Sequence, residues 1–189
     1  METATLVPVL TKWTIDPAHS SIQFKVKHLM ITTVTGSFQK FEAAIDAPDD
    51  DLSKAHVDFW AEAASVTTGN EQRDGHLKAA DFFDIANHPR IIFRSKRVEN
   101  VDKDGSWTLY GELTINGITN PIQLDVEWGG VAKDPWGNTK AGVSISGKFD
   151  RSKWDLNFNA ALETGGVLLS DEVRISCDVQ LVKQGEAIA

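Results

Sequence analysis

Cysteine is almost missing from this chain: Cys177 is the single example in 189 residues. One thiol excludes an internal disulfide, and no Cys/His spacing matches a zinc knuckle. Cys177 stands among alternating apolar residues, the setting of a buried, inert thiol. Basic residues are the minority, 19 Lys and Arg against 27 Asp and Glu, and nowhere do they gather into a patch. With a formal net charge of −8 there is no electrostatic footing for a phosphate backbone, so nucleic acid is not an expected partner. Long hydrophobic runs are absent too, none approaching the ~20 apolar residues of a membrane-spanning helix. The opening METATLVPVLTKW has neither the positive leader nor the apolar core of a signal peptide. A cytoplasmic protein is therefore expected if the sequence is full-length, and a periplasmic one if a leader has been trimmed. The five histidines, His19, His28, His56, His76 and His88, scatter over several elements, and neither a metal site nor a cofactor is expected.

What is present is alternation. Ile22, Phe24, Val26 and His28 share one face of a strand over Ser20–Leu29, against Gln23, Lys25 and Lys27. A strand over Thr33–Asp46 changes parity between Phe38 and Phe41, which a β-bulge would explain. Further inward sets follow at Val57/Phe59/Ala61/Ala63, Ile91/Phe93/Ser95, Trp107 to Ile115, Ile122 to Trp128, Ala141 to Phe149 and Val173 to Leu181. Asp102–Gly105 and Asn116-Gly117 read as hairpin turns, and Gly129 to Gly137 as a longer loop. Thr11–Pro17 opens the domain without a strand assignment, and Asp150 to Asp171 is irregular. Eight short antiparallel strands in one composition zone predict an all-β sandwich or a closed barrel. A barrel of eight leaves room for packed side chains or one small ligand. Large rings mixed with Ala43, Ala61, Ala63, Gly111 and Gly147 favour a lined cavity, with a filled core as the alternative.

One stretch, Gly69 to Pro89, breaks the pattern. Leu77, Ala80 and Phe83 fall at helical spacing, Asn70 is placed to cap the first turn, and Pro89 closes the segment. The expectation is a short helical excursion whose adjacent Phe82 and Phe83 cover the apolar interior, with Arg73 and Asp74 forming an internal ion pair.

Several strings resemble the YceI-like proteins. They are Trp13-Thr-Ile-Asp-Pro-Ala-His19 running on to Phe24 and His28, Val34-Thr-Gly36-Ser-Phe38 with Phe41, and Thr68 to Asp84 with His88-Pro89 and Phe93. Gly111-Glu-Leu-Thr-Ile-Asn-Gly117 and Arg151 with Trp154 complete the match, which covers residues 12–183 as a single domain between flexible termini at 1–11 and 184–189. The resemblance implies an extended, lipocalin-like antiparallel barrel that binds a polyisoprenoid or another long-chain lipid without chemistry. It also implies transient membrane contact and a homodimer, as in dimeric members. The lipid site it implies comprises Phe24, Val26, His28, Phe38, Phe41, Phe59, Phe82, Phe83, Phe93, Leu113, Ile115, Val143 and Trp154. Arg73, His76 and Arg151 are the head-group candidates. Lys140, where an arginine is frequent, and Trp154-Asp155, in place of Phe-Gly, depart from the pattern and would alter head-group preference if they lay at the mouth. Two other readings stay open: an enzyme using Arg73, Asp74, His76 or His28, and a solid-core stress-response module.

Overall fold

Each strand of the molecule has one apolar face to hide, and the chain hides all of them by rolling its sheet into a tube. The structure, a computed structural model, describes residues 7–185. Its strands are β1 (Leu10–Ile15), β2 (Ser21–His28), β3 (Thr32–Phe38), β4 (Phe41–Pro48), β5 (His56–Glu62) and β6 (Val66–Thr67). After helix α1 (Glu71–Lys78) come β7 (Arg90–Glu99), β8 (Trp107–Ile115), β9 (Ile118–Lys133), β10 (Thr139–Asp150) and β11 (Leu169–Lys183). Every pairing is antiparallel, and the order β1-β4-β5-β7-β8-β9-β10-β11 returns from β11 to β1, closing an eight-stranded barrel. Closure leaves this ring no free edge for another chain to pair with.

The first three staves of the barrel are each broken once. β1 pairs with the end of β11 (Ile15 opposite Leu181), and β2 continues along the same edge (Cys177 opposite Ile22, Val173 opposite Val26). β3 and β4 lie end to end beside them, as do β5 and β6. The breaks are a 3-10 turn at Pro17–His19, the bend at Gln39–Lys40 and a 3-10 turn at Ala63–Ser65. Ser65 locks two of them together, its hydroxyl accepting from the Gln39 and Lys40 amides. The parity change between Phe38 and Phe41 is thus a break between two strands, and not the expected bulge. Bulges occur elsewhere, at Lys96 in β7 and at Gly129 in β9, which runs on to Lys133 where a loop was expected. The leading segment also exceeds expectation: Leu10 and Thr11 pair with Pro48 and Ala47, and the Gln184 side chain donates to Thr14 Oγ1 at 2.9 Å. Of the expected flexible termini, residues 1–6 and 186–189 lie outside the described residues.

Asp16 fastens the first break. Its carboxylate accepts from His19 Nδ1 (3.0 Å), Lys140 Nζ (3.2 Å), Gln180 Nε2 (3.1 Å) and the Ala18 amide (3.0 Å). Desolvation works to raise its pKa, but the bonds from His19, Lys140, Ala18 and Gln180 prevail and hold it at about 2. The folded value lies below the ordinary 3.8, so the stabilisation is complete above about pH 5 and fades as pH falls through 3.8 toward 2. Asp16→Asn should therefore cost roughly 1–2 kcal/mol at neutral pH. Its unfolding midpoint should also fall less steeply than that of the parent protein between pH 5 and 2. Parallel curves would rule out this carboxylate as an acid-sensitive fastener.

Small inward residues turn out to seat neighbouring side chains as often as they leave space. A Cβ on Gly111 would lie 2.5 Å from both the Arg94 carbonyl oxygen and the Phe93 ring, and one on Gly147 would lie 2.7 Å from Leu124. Ala43 and Ala61, by contrast, do border open space. Gly111→Ala should cost ~1–3 kcal/mol by overpacking, seen as a lower urea midpoint at unchanged slope; an unchanged midpoint would mean that the ring and carbonyl move aside freely.

Candidate functional site

The inward faces enclose an apolar cavity of about 430 Å³. Phe24, Val26 and His28 reach it from β2, Phe38 from β3, Phe59 from β5, Phe93 from β7, Leu113 and Ile115 from β8, and Val143 from β10. The expected lipid site left out other wall residues: Trp107, Leu124 and Cys177, which alternation had already turned inward, and Ile15, which had no strand assignment. Desolvation pushes the Cys177 thiol up to about 11, the buried and unreactive state expected of it. Phe41 and Trp154 are buried without bordering the cavity. Phe41 packs against Phe59 (centroids 6.4 Å apart). Trp154 donates from Nε1 to the Leu113 carbonyl at 2.8 Å and meets Phe149 edge-on.

One end of the barrel is built differently from the other. At the mouth end the turns 29–31 and 116–117, the segment 79–89 and the long connection 151–168 come together, as the strand registers require. α1 stands here because Asn70 Oδ1 accepts from the Arg73 amide at 2.9 Å, an N-cap with Glu71 in the first turn. The helix stops at Lys78, earlier than the Leu77/Ala80/Phe83 spacing implied. Phe82 and Phe83 instead occupy the turns after it, where the Phe83 amide reaches back to the Leu77 carbonyl at 3.0 Å. Phe83 is buried against Phe38 (5.8 Å), and both phenylalanines border the cavity.

Arg73 and Asp74 form no direct ion pair, contrary to expectation. The Thr68 hydroxyl joins them, accepting from Arg73 Nε (2.7 Å) and donating to Asp74 Oδ1 (2.6 Å). Desolvation pushes the Asp74 carboxyl up, yet the Thr68 hydroxyl and amide, Thr67 and the Arg73 charge together hold it below the ordinary range. Reach explains the arrangement: neighbours on a helix point apart, and a threonine on the preceding segment bridges them. His76 Nε2 lies 3.0 Å from Asp81 Oδ2. The His76 ring stands edge-on to Phe82 (5.0 Å) and Phe158 (4.6 Å), and these two rings lie 5.2 Å apart. This three-ring cluster joins the excursion to the 151–168 connection. Phe158 carries no periodic signal, so sequence reasoning missed it. Arg73 and His76 border the apolar cavity and, with Asn70 and Gln72, an open recess beside it.

Arg151 is 4% exposed and fully engaged. Nε donates to the Ser170 carbonyl (2.9 Å), one terminal nitrogen donates to the Leu156 and Phe158 carbonyls, and the other faces Asp171 at 3.6 Å. It holds the connection that carries Phe158, although its side chain touches the cavity wall. Lys140 stands between Asp16 and Asp134 (3.9 Å), so neither departure from the family pattern borders the cavity. The His28 ring makes no side-chain hydrogen bond among the described residues, which also hold no cluster of metal-binding side chains. Among those residues no helix is long and apolar enough to cross a membrane.

The YceI-like domain model matches residues 13–181. A UPF0312 protein of Staphylococcus aureus is 40% identical over 172 residues, covering 90% of this chain and 97% of the relative. The Campylobacter jejuni YceI protein superposes with a TM-score of 0.72 at 34% identity, covering 98% of this chain and all of that one. A polyisoprenoid binding domain from Saccharophagus degradans shares the fold (TM-score 0.60) at 13% identity, over 90% of this chain and 97% of its own.

Proposed function

Because the chain belongs to the YceI-like family, we propose that it binds a polyisoprenoid or another long-chain amphiphilic lipid inside the barrel and does no chemistry on it. The observation that carries this reading is an apolar cavity of about 430 Å³ that meets a polar recess at Arg73 and His76. That volume is within the ~300–1,000 Å³ of ligand sites, and a filled-core module would have no such space. The ligand class is supported by the Saccharophagus degradans neighbour, a polyisoprenoid binding domain.

In this reading the tail lies among Phe24, Phe38, Phe59, Phe93, Leu113 and Val143, and His28 meets a polar group within the chain. Arg73 and His76 face a phosphate or carboxylate head. Arg151, spent on backbone carbonyls, is left out of that role. Burying ~15 carbons yields a gross ~12 kcal/mol, against association costs of ~4–15 kcal/mol, which suits a cargo that is stored or handed on. An enzyme reading has less support. Asp74, the candidate base, is tied to the Thr68 hydroxyl and amide, and the Cys177 thiol is held protonated.

Trp107 borders the cavity and supplies the test. Delipidated protein titrated with a conjugated polyene fatty acid should pass tryptophan excitation to the bound chain, and unlabelled prenyl alcohol should compete the signal away. No transfer at any probe concentration would refute the reading.

A further inference from the structure

Where the β2 strand turns back into β3, the chain does something costly. The turn is closed by the Ile31 amide donating to the His28 carbonyl at 3.2 Å, and its two central residues, Leu29 and Met30, have φ of +53° and +58°. Those are the φ signs of a type I′ turn, here followed by Ile31 before the strands pair at His28 and Thr32, and such a turn favours Asn-Gly because other side chains crowd the backbone in the left-handed region. The same chain supplies the comparison. Its β8–β9 hairpin places Asn116 and Gly117 at φ of +53° and +72°. At the β2–β3 turn the two strained positions carry apolar side chains, Leu29 being 37% and Met30 55% exposed, and Ile31 after them is 76% exposed. Val167, 40% exposed, lies next to Leu168, whose carbonyl accepts from the Leu29 amide at 2.8 Å. Strain combined with exposed apolar surface stabilises nothing within the fold, and such combinations mark functional sites.

Position says what the tip is for. His28, Leu168 and Leu169, immediately beside it, all border the apolar cavity, whereas Leu29, Met30 and Ile31 do not. The exposed aliphatics are therefore the outer lip of the cavity's mouth. Resting on the lipid-binding reading above, we infer that this tip is a membrane-docking element: it inserts shallowly into a lipid bilayer so that a chain passes between hydrocarbon and cavity without crossing water. Four partly exposed side chains fall well short of the ~800 Å² per partner of a stable protein dimer, but they suit shallow burial at a lipid surface. The net charge of −8 fixes the kind of attraction. It comes from apolar burial, so it operates on zwitterionic phosphatidylcholine and does not require anionic lipid.

The test uses the full chain and a double variant, Leu29→Asn with Met30→Gly, which gives the turn its preferred residues while removing two of the exposed aliphatics. Thermal stability should stay equal or rise. Uptake of a polyene fatty acid delivered from ethanol should be unchanged, since neither residue borders the cavity. Flotation with phosphatidylcholine vesicles and the rate of probe transfer from those vesicles should both fall at least about tenfold, the scale of two lost aliphatic contacts with hydrocarbon. Vesicle binding and transfer at the parent rates would overturn the docking assignment and leave the lipid-binding reading intact. Conversion of a dimer to a monomer by the same substitutions, seen in sedimentation, would overturn it in favour of a second copy. If the parent protein takes up no probe from ethanol, the lipid-binding reading itself fails.

Discussion

Replacement of Arg151 by methionine is expected to lower the unfolding free energy by ~3–5 kcal/mol, among the largest effects of any single substitution here, through the backbone acceptors it leaves without donors. The guanidinium is buried and gives its donors to three backbone carbonyls, those of Leu156, Phe158 and Ser170, with Asp171 beside it. Methionine keeps much of the packing volume but none of the donors. The carbonyls then lose partners that cost ~1–3 kcal/mol each to leave unmade where they stay buried. Chemical denaturation measures the loss. A second consequence separates this role from head-group recognition. Phe158, held in place through its own carbonyl, closes the mouth against Phe82 and His76, so the variant should release bound lipid faster while still accepting carboxylate and uncharged chains in the parent's order of preference. A folded variant of parent stability, changed only in its preference between charged and neutral heads, would return Arg151 to the head-group site.

Ala43→Phe should abolish most lipid binding and leave the fold standing. Ala43 borders the cavity and pairs across the sheet with Phe59, so a ring grown from it enters open space. Displacing roughly four methylenes of ligand at ~0.8 kcal/mol each predicts a loss of ~3 kcal/mol, or ~100-fold in affinity. Thermal stability should hold or improve, because the new ring fills space that is otherwise unpacked. Affinity within threefold of the parent in a stably folded variant would place the ligand elsewhere.

The strands and their inward faces were legible in the sequence because period-two alternation reports which side chains face inward, whatever the strand's partners, whereas barrel rather than sandwich was legible only through the family resemblance. What alternation cannot report is where a stave breaks. Phe38 and Phe41 both face inward across a bend at Gln39–Lys40, and a bulge would have left the same pattern. β1 was missed because its six residues, LTKWTI, expose Leu10 and bury only Trp13 and Ile15. The cavity wall was legible where rings recur on strands, as at Phe24, Phe59 and Phe93. The mouth was read poorly, since its geometry depends on loop-to-loop contacts: the Thr68 hydroxyl between Arg73 and Asp74, the carbonyls around Arg151, the ring of Phe158 against His76. Residues 151–168 carry no period from which such contacts can be inferred. Gly111 misled for a simpler reason. A missing side chain looks like empty volume in sequence, whereas here the Phe93 ring fills it.

The central question is whether the cavity holds a lipid. Native mass spectrometry of protein isolated from cells without detergent, followed by organic extraction, addresses that in one experiment. The expected result is a discrete added mass, extractable as a prenyl or fatty lipid and absent from Ala43→Phe. A bare polypeptide mass that persists after incubation with such lipids would contradict it.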